Sequence, residues 1–212
     1  GFFKIANPNT YLHGGIEYIK VPIDNMPKDM DAITQYRELM EIGFDGIKML
    51  EGKPTEHKRI GKSLNHPALN KLYEQMEKDG THLLMHVNDP DEFWDLKRAP
   101  DWAVKQGWTY TDGSFASYEE IQTQTIKILE SYPRLNLTLA HFFFCSKEPE
   151  ILEKLFTLYP NLCVDLTPGG EMYVEFEKNY DNVRIIRKEK NGGLASSANL
   201  GIQEAKGEYI IL

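Results

Sequence analysis

Two cysteines in 212 residues, Cys145 and Cys163, are too few for a disulfide framework. Each lies beside an apolar run, which predicts two buried thiols. Long apolar runs are scarce as well, and none approaches the ~20 residues that a membrane span needs. Positive charge is in deficit, with 24 Lys and Arg against 32 Asp and Glu and a formal net charge of −8. This balance argues against a nucleic-acid backbone as partner and says little about small substrates, with a second copy of the chain as an open alternative. The first eight residues, Gly1 to Pro8, lack the charged-then-apolar pattern of a secretory signal, so a cytoplasmic location is the default expectation. There is no initiating Met, and Glu208–Leu212 is a strand-like run with nothing after it, so the chain reads as a fragment or a fusion.

What is present is an ordinary globular composition, 41% hydrophobic and 26% charged, enough for one large domain or one domain and a piece of another. Residues 1–27 read as irregular, with Ile16–Val21 alternating as a short strand. Helical spacing runs over Asp29–Ile42 and is closed by Gly43. Phe44–Leu50 reads as a strand with Lys48 inside it, and residues 51–54 as its loop. His66-Pro67 opens a helix that Gly80 closes. Leu83–Val87 is a short apolar run between that Gly and Pro90, the pattern of a buried strand. Residues 88–116 read as a long ordered loop with Trp94, Trp102 and Trp108. Ser117 to Glu120 fits a capping box at a helix start, and Pro133 ends that helix. Leu135–His141, a helix over Lys147–Leu158 and Leu162–Leu166 follow. Helix and strand alternate, which predicts an α/β fold with a parallel sheet.

Side chains alternate along a strand, so His82, Leu84 and His86 share one face. His86, His141 and Asp165 fall at or near the C-terminal ends of three successive strands, with Lys48 and Glu51 at a fourth. Parallel strands bring such ends to one rim, where two imidazoles and a carboxylate suit zinc or a related divalent ion. Asp89 and Glu92 crowd the loop beyond His86, as substrate contacts or as solvated carboxylates. Lys48 pairs with Asp45 or Glu51, holds an anionic substrate, or serves as a carbamate-type metal ligand. Trp94 walls a pocket or packs its loop, and Phe142–Phe144 packs the interior. His57 and His66 read as surface or helix-start residues. His82, ~13 Å down the strand from His86, belongs to the floor.

Four segments carry a resemblance: Phe44-Asp-Gly-Ile-Lys-Met-Leu-Glu-Gly-Lys-Pro54, Leu84-Met-His-Val-Asn-Asp-Pro-Asp-Glu-Phe-Trp94, Leu139-Ala-His-Phe-Phe-Phe144 and Val164-Asp-Leu-Thr-Pro-Gly169. Together they make about residues 1–180 resemble the amidohydrolase superfamily, in the branch of metal-dependent hydrolases that also holds decarboxylases, and residues 1–182 are expected to form that domain. The resemblance implies a (β/α)8 TIM barrel and a divalent metal, usually zinc. It implies His86 and His141 as metal ligands, with His141, Lys48 and Asp89 in catalysis. Glu51, Asp165 and Trp94 are then the candidate substrate contacts. The family's first-strand His-x-His pair is absent, since His13 stands alone in a Gly-rich stretch, and so is its Gly-Thr-Asp strand; the expected barrel is incomplete. Residues 183–212 differ in character. Val183-Arg-Ile-Ile-Arg-Lys-Glu-Lys-Asn-Gly-Gly-Leu194, Asn199-Leu-Gly-Ile202 and Ala205-Lys-Gly-Glu-Tyr-Ile210 resemble the inner, βαβ-like segment of family 2 glycosyltransferases of the GT-A fold. In that family an Asp-x-Asp motif would follow Leu212.

Overall fold

The structure is a computed structural model that describes residues 11–17 and 31–165. The chain divides into two compact units, residues 1–168 and 169–212, and the described residues belong to the first. The boundary expected at 182/183 and the C-terminal βαβ-like segment lie outside the described residues.

Five described strands form one parallel sheet in sequential order: β1 (His13–Gly14), β2 (Gly46–Gly52), β3 (His82–Val87), β4 (Leu137–Leu139) and β5 (Leu162–Val164). Between them run the helices α1 (Ala32–Glu41), α2 (Pro54–Ile60), α3 (Asn70–Asp79), α4 (Asp101–Lys105), α5 (Tyr118–Ser131) and α6 (Pro149–Leu158). The α/β expectation therefore holds as a parallel sheet with connecting helices, while closure into a barrel is not seen among the described residues.

The helices start and stop where local chemistry dictates. The Asp31 carboxylate accepts the Thr34 amide at 2.8 Å, and the Ser117 hydroxyl accepts that of Glu120 at 3.1 Å. Gly80 ends α3 in the left-handed conformation that residues with a Cβ avoid. Ile47, Met49, Leu83, Met85, Leu137 and Leu139 form one fully buried sheet face, and Tyr36, Leu72, Tyr73, Met76, Ile121 and Ile128 of the helices pack in the same core. The register aligns Lys48, Leu84, Thr138 and Cys163 across the other face. The first three of these are only half-buried, and Cys163 is exposed.

Several local expectations are corrected. Cys163 is exposed because strand alternation turns it away from the helices. The first strand is His13–Gly14, so His13 lies in the sheet; residues 16 and 17 are not strand, and 18–21 lie outside the described residues. The fourth strand stops at Leu139, two residues short of His141. Residues 54–60, read as no element, form α2, begun by Pro54 at a position where its missing amide costs nothing. The 88–116 stretch contains a 3-10 turn, Asp91–Trp94, and α4. His57 is buried and bonds Gln124 at 2.9 Å.

Candidate active site

β3 leaves the sheet through Asn88, a buried residue at φ 65°. Asn tolerates this left-handed conformation better than most residues. Its amide donates to the Gly52 carbonyl at 2.8 Å and its side-chain amide to the Tyr118 carbonyl at 3.0 Å. The turn carries the next residue, Asp89, back over the end of its own strand. There the Lys53 ammonium donates to both Asp89 oxygens, at 3.1 and 2.9 Å, and the Tyr110 hydroxyl donates a short hydrogen bond. Nε2 of His86 stands 3.4 Å from Asp89 Oδ1 and has no other polar partner among the described residues. Burial raises the Asp89 pKa, but His86, Tyr110 and Lys53 outweigh it and hold the carboxyl below its ordinary value. Burial, helped by the Asp89 charge, pushes Tyr110 well up, so its proton stays on the phenol.

The other nitrogen of His86, Nδ1, meets Nε2 of His141 at 3.1 Å. The two rings lie edge to face, with centroids 4.8 Å apart. His141 gets there through an unusual backbone. Four consecutive residues without glycine, His141 to Phe144, have φ between 51° and 58°. A left-handed turn of L-residues costs about 1–2 kcal/mol each, so neighbouring contacts must hold it. Phe143 is buried in the core below, and Phe144 lies against both imidazoles, at 5.8 Å from His86 and 5.3 Å from His141. The Asp165 carboxylate accepts the His141 amide at 2.8 Å, and the Asp165 carbonyl accepts that of Phe142 at 2.7 Å. Its carboxylate also stands 4.0 Å from His141 Nδ1. Asp89, His86, His141 and Asp165 thus line up as carboxylate, imidazole, imidazole, carboxylate.

The structure brings His86, His141, Asp89 and Asp165 together. Lys48 lies on the same sheet face, and burial lowers its pKa while Asp165 and Glu51 oppose that shift. Glu51 is sunk. Burial pushes its carboxyl up to about 7, Glu56 and Arg59 of α2 feel its charge, and its Oε2 has no partner among the described residues. Trp94 packs its ring against Tyr110 and Tyr118 and donates its indole N–H to the Ala116 carbonyl at 3.0 Å. Glu92 and Asp91 pair with Lys147. His82 bonds His13 at 2.6 Å and Thr138 at 2.8 Å, the floor cluster that its face implied.

Sequence reasoning missed Lys53, Tyr110 and Asn88. A Lys just past one strand, beside a carboxylate just past the next, was a usable sign for Lys53; an Asn between a strand and Asp-Pro was one for Asn88. Nothing local marked Tyr110.

No curated protein matches the chain. The family model described as Glycosyl transferase family 2 matches residues 169–212, outside the described residues. Among solved structures, the chain is similar to an uncharacterized TIM-barrel protein from Bordetella bronchiseptica. The identity is 18% and the TM-score 0.46, over 82% of this chain and 48% of that one. This chain thus spans about half the length of that protein.

Proposed function

We propose that the C-terminal rim of this sheet is the active site of a metal-dependent hydrolase of amidohydrolase type. Its substrate is small and anionic or cyclic, and decarboxylation is open to the same scaffold. The supporting observation is the pair of imidazole nitrogens 3.1 Å apart at the ends of neighbouring strands. The two nitrogens hydrogen-bond each other directly, so both rings would have to turn their lone pairs toward a common ion to hold it. Among the described residues no group of three or more His, Cys, Asp or Glu is placed to hold a metal. The fit therefore rests on two imidazole donors, one fewer than the three protein ligands of a catalytic zinc site.

His86 and His141 would hold the ion, which when bound supplies Lewis-acid polarisation of a scissile carbonyl and activation of water. Asp89, 3.4 Å from Nε2 of His86, would favour the proton there and free Nδ1 for the ion, and His141 would have to carry its own proton on Nδ1, on the side of Asp165, to free Nε2. Lys48 supplies positive charge on the open face for an acidic substrate group. The tyrosine and lysine on Asp89 hold that carboxylate in place. Metal analysis of the purified chain after zinc loading tests this. We expect about one ion per chain, lost in the His86→Ala/His141→Ala double variant. Equal zinc in both proteins would refute the assignment.

A second reading rests on the family match over residues 169–212. In it, the chain comes from a family 2 glycosyltransferase with the α/β unit as an appended domain. Coding sequence beyond Leu212 separates the two: an Asp-x-Asp there supports the transferase, and a Gly-Thr-Asp strand supports a continuing barrel.

A further inference from the structure

The left-handed turn at the end of β4 asks what holds it, and the neighbouring strand gives an answer. Asp165 directly follows β5, and its amide continues the sheet ladder by donating to the Leu139 carbonyl at 3.1 Å. It is therefore fixed by the sheet before it touches the turn. From that anchor it accepts two consecutive amides, His141 by its carboxylate and Phe142 by its carbonyl. Consecutive amides aimed at one neighbour are what a left-handed segment presents and an extended strand does not, because strand amides alternate in direction. At the far end of the turn, the Tyr118 hydroxyl of α5 donates to the Phe144 carbonyl at 2.9 Å.

We propose that Asp165 is a positioning residue: by accepting the His141 amide it holds the left-handed turn that aims the His141 imidazole at His86. The role rests on the hydrolase reading only for its purpose; the geometric claim stands with or without a metal. Oδ1 carries the positioning, so the requirement is for an acceptor there and not for a charge.

The test compares Asp165→Asn, which keeps a side-chain acceptor, with Asp165→Ala, which has none, in the full chain. Asp165→Leu, of larger apolar volume and also without an acceptor, replaces the Ala variant if that fails to fold by circular dichroism. The first readout is the proton–proton Overhauser contact between the rings of His86 and His141 in metal-free protein, assigned with the single His→Ala variants. We expect the contact in wild type and Asp165→Asn and its loss in the acceptor-free variant. The second is zinc affinity by chelator competition, with a loss of about 10-fold or more in the acceptor-free variant and little change in Asp165→Asn. A ring contact that survives without the acceptor overturns the proposal, as does its equal loss in Asp165→Asn. Wild-type protein that binds no zinc removes the hydrolase reading, and the ring contact still decides the role of Asp165.

Discussion

Replacing Glu51 with Gln keeps the shape of the side chain and deletes its charge, which makes it a direct probe of the ground beneath the rim. Burial raises the Glu51 pKa from an ordinary 4.5 to about 7, against weaker opposition from the Leu50 and Glu51 amides. A carboxyl raised in the folded state is protonated there while the unfolded chain has already released its proton. Stability is therefore unaffected by Glu51 below pH 4.5, falls as pH rises from 4.5 to about 7, and stays reduced above that. At 1.36 kcal/mol per pKa unit the total is about 3 kcal/mol. The Gln variant has no such dependence. Its amide carries a fixed cost of about 1–3 kcal/mol if the added N–H donors find no acceptor, and a fixed cost cancels between pH values. Urea denaturation of both proteins at pH 4, 6 and 8 measures the difference. We expect the Gln variant to gain about 3 kcal/mol relative to wild type between pH 4 and pH 8. A difference constant to within about 0.5 kcal/mol would refute the burial of this charge.

Tyr110→Phe strips one donor from the buried Asp89 carboxylate and should cost about 1–3 kcal/mol in denaturant unfolding; no loss would mean that Lys53 and His86 satisfy Asp89 unaided. Burial lowers the pKa of both His13 and His82, so their contribution to stability is present above pH 6.5 and is lost as pH falls through the lowered folded values. The His13→Gln/His82→Gln double variant should flatten that acid limb, and an unchanged limb between pH 7 and pH 5 contradicts it. Gly52→Ala places a methyl group against the His86 carbonyl between β2 and β3. It should destabilise by about 1–3 kcal/mol, seen as a lower Tm, and a wild-type Tm would show that the strands separate easily there.

The short apolar runs between glycine and proline were enough to place β2 and β3, since buried strands have few other signatures. Alternation then set His82 and His86 on one face, and the parallel order of the strands brought His86 to His141. The limits of that logic lie in conformation and in distance. Nothing in three successive phenylalanines marks a left-handed turn, so the apolar pattern runs on to His141 although β4 ends at Leu139. The Asp89 contacts reach back 36 residues to Lys53 and forward 21 to Tyr110, beyond any local pattern. His57 looked like a surface residue because its partner Gln124 lies 67 residues away. Cys163 departs from its expected burial for another reason: an apolar neighbour says a strand is near, but only register says which side is covered.

That register gives the molecule a chemical asymmetry. Cys145 is sealed, its thiol pushed up to about 12 by burial, whereas Cys163 stands open next to Thr138 in the strand register. A maleimide or an oxidant offered to the native protein therefore meets one receptive sulfur, on the side of the sheet that bears Lys48. A spin label or fluorophore attached there would report from beside the rim without any engineered cysteine.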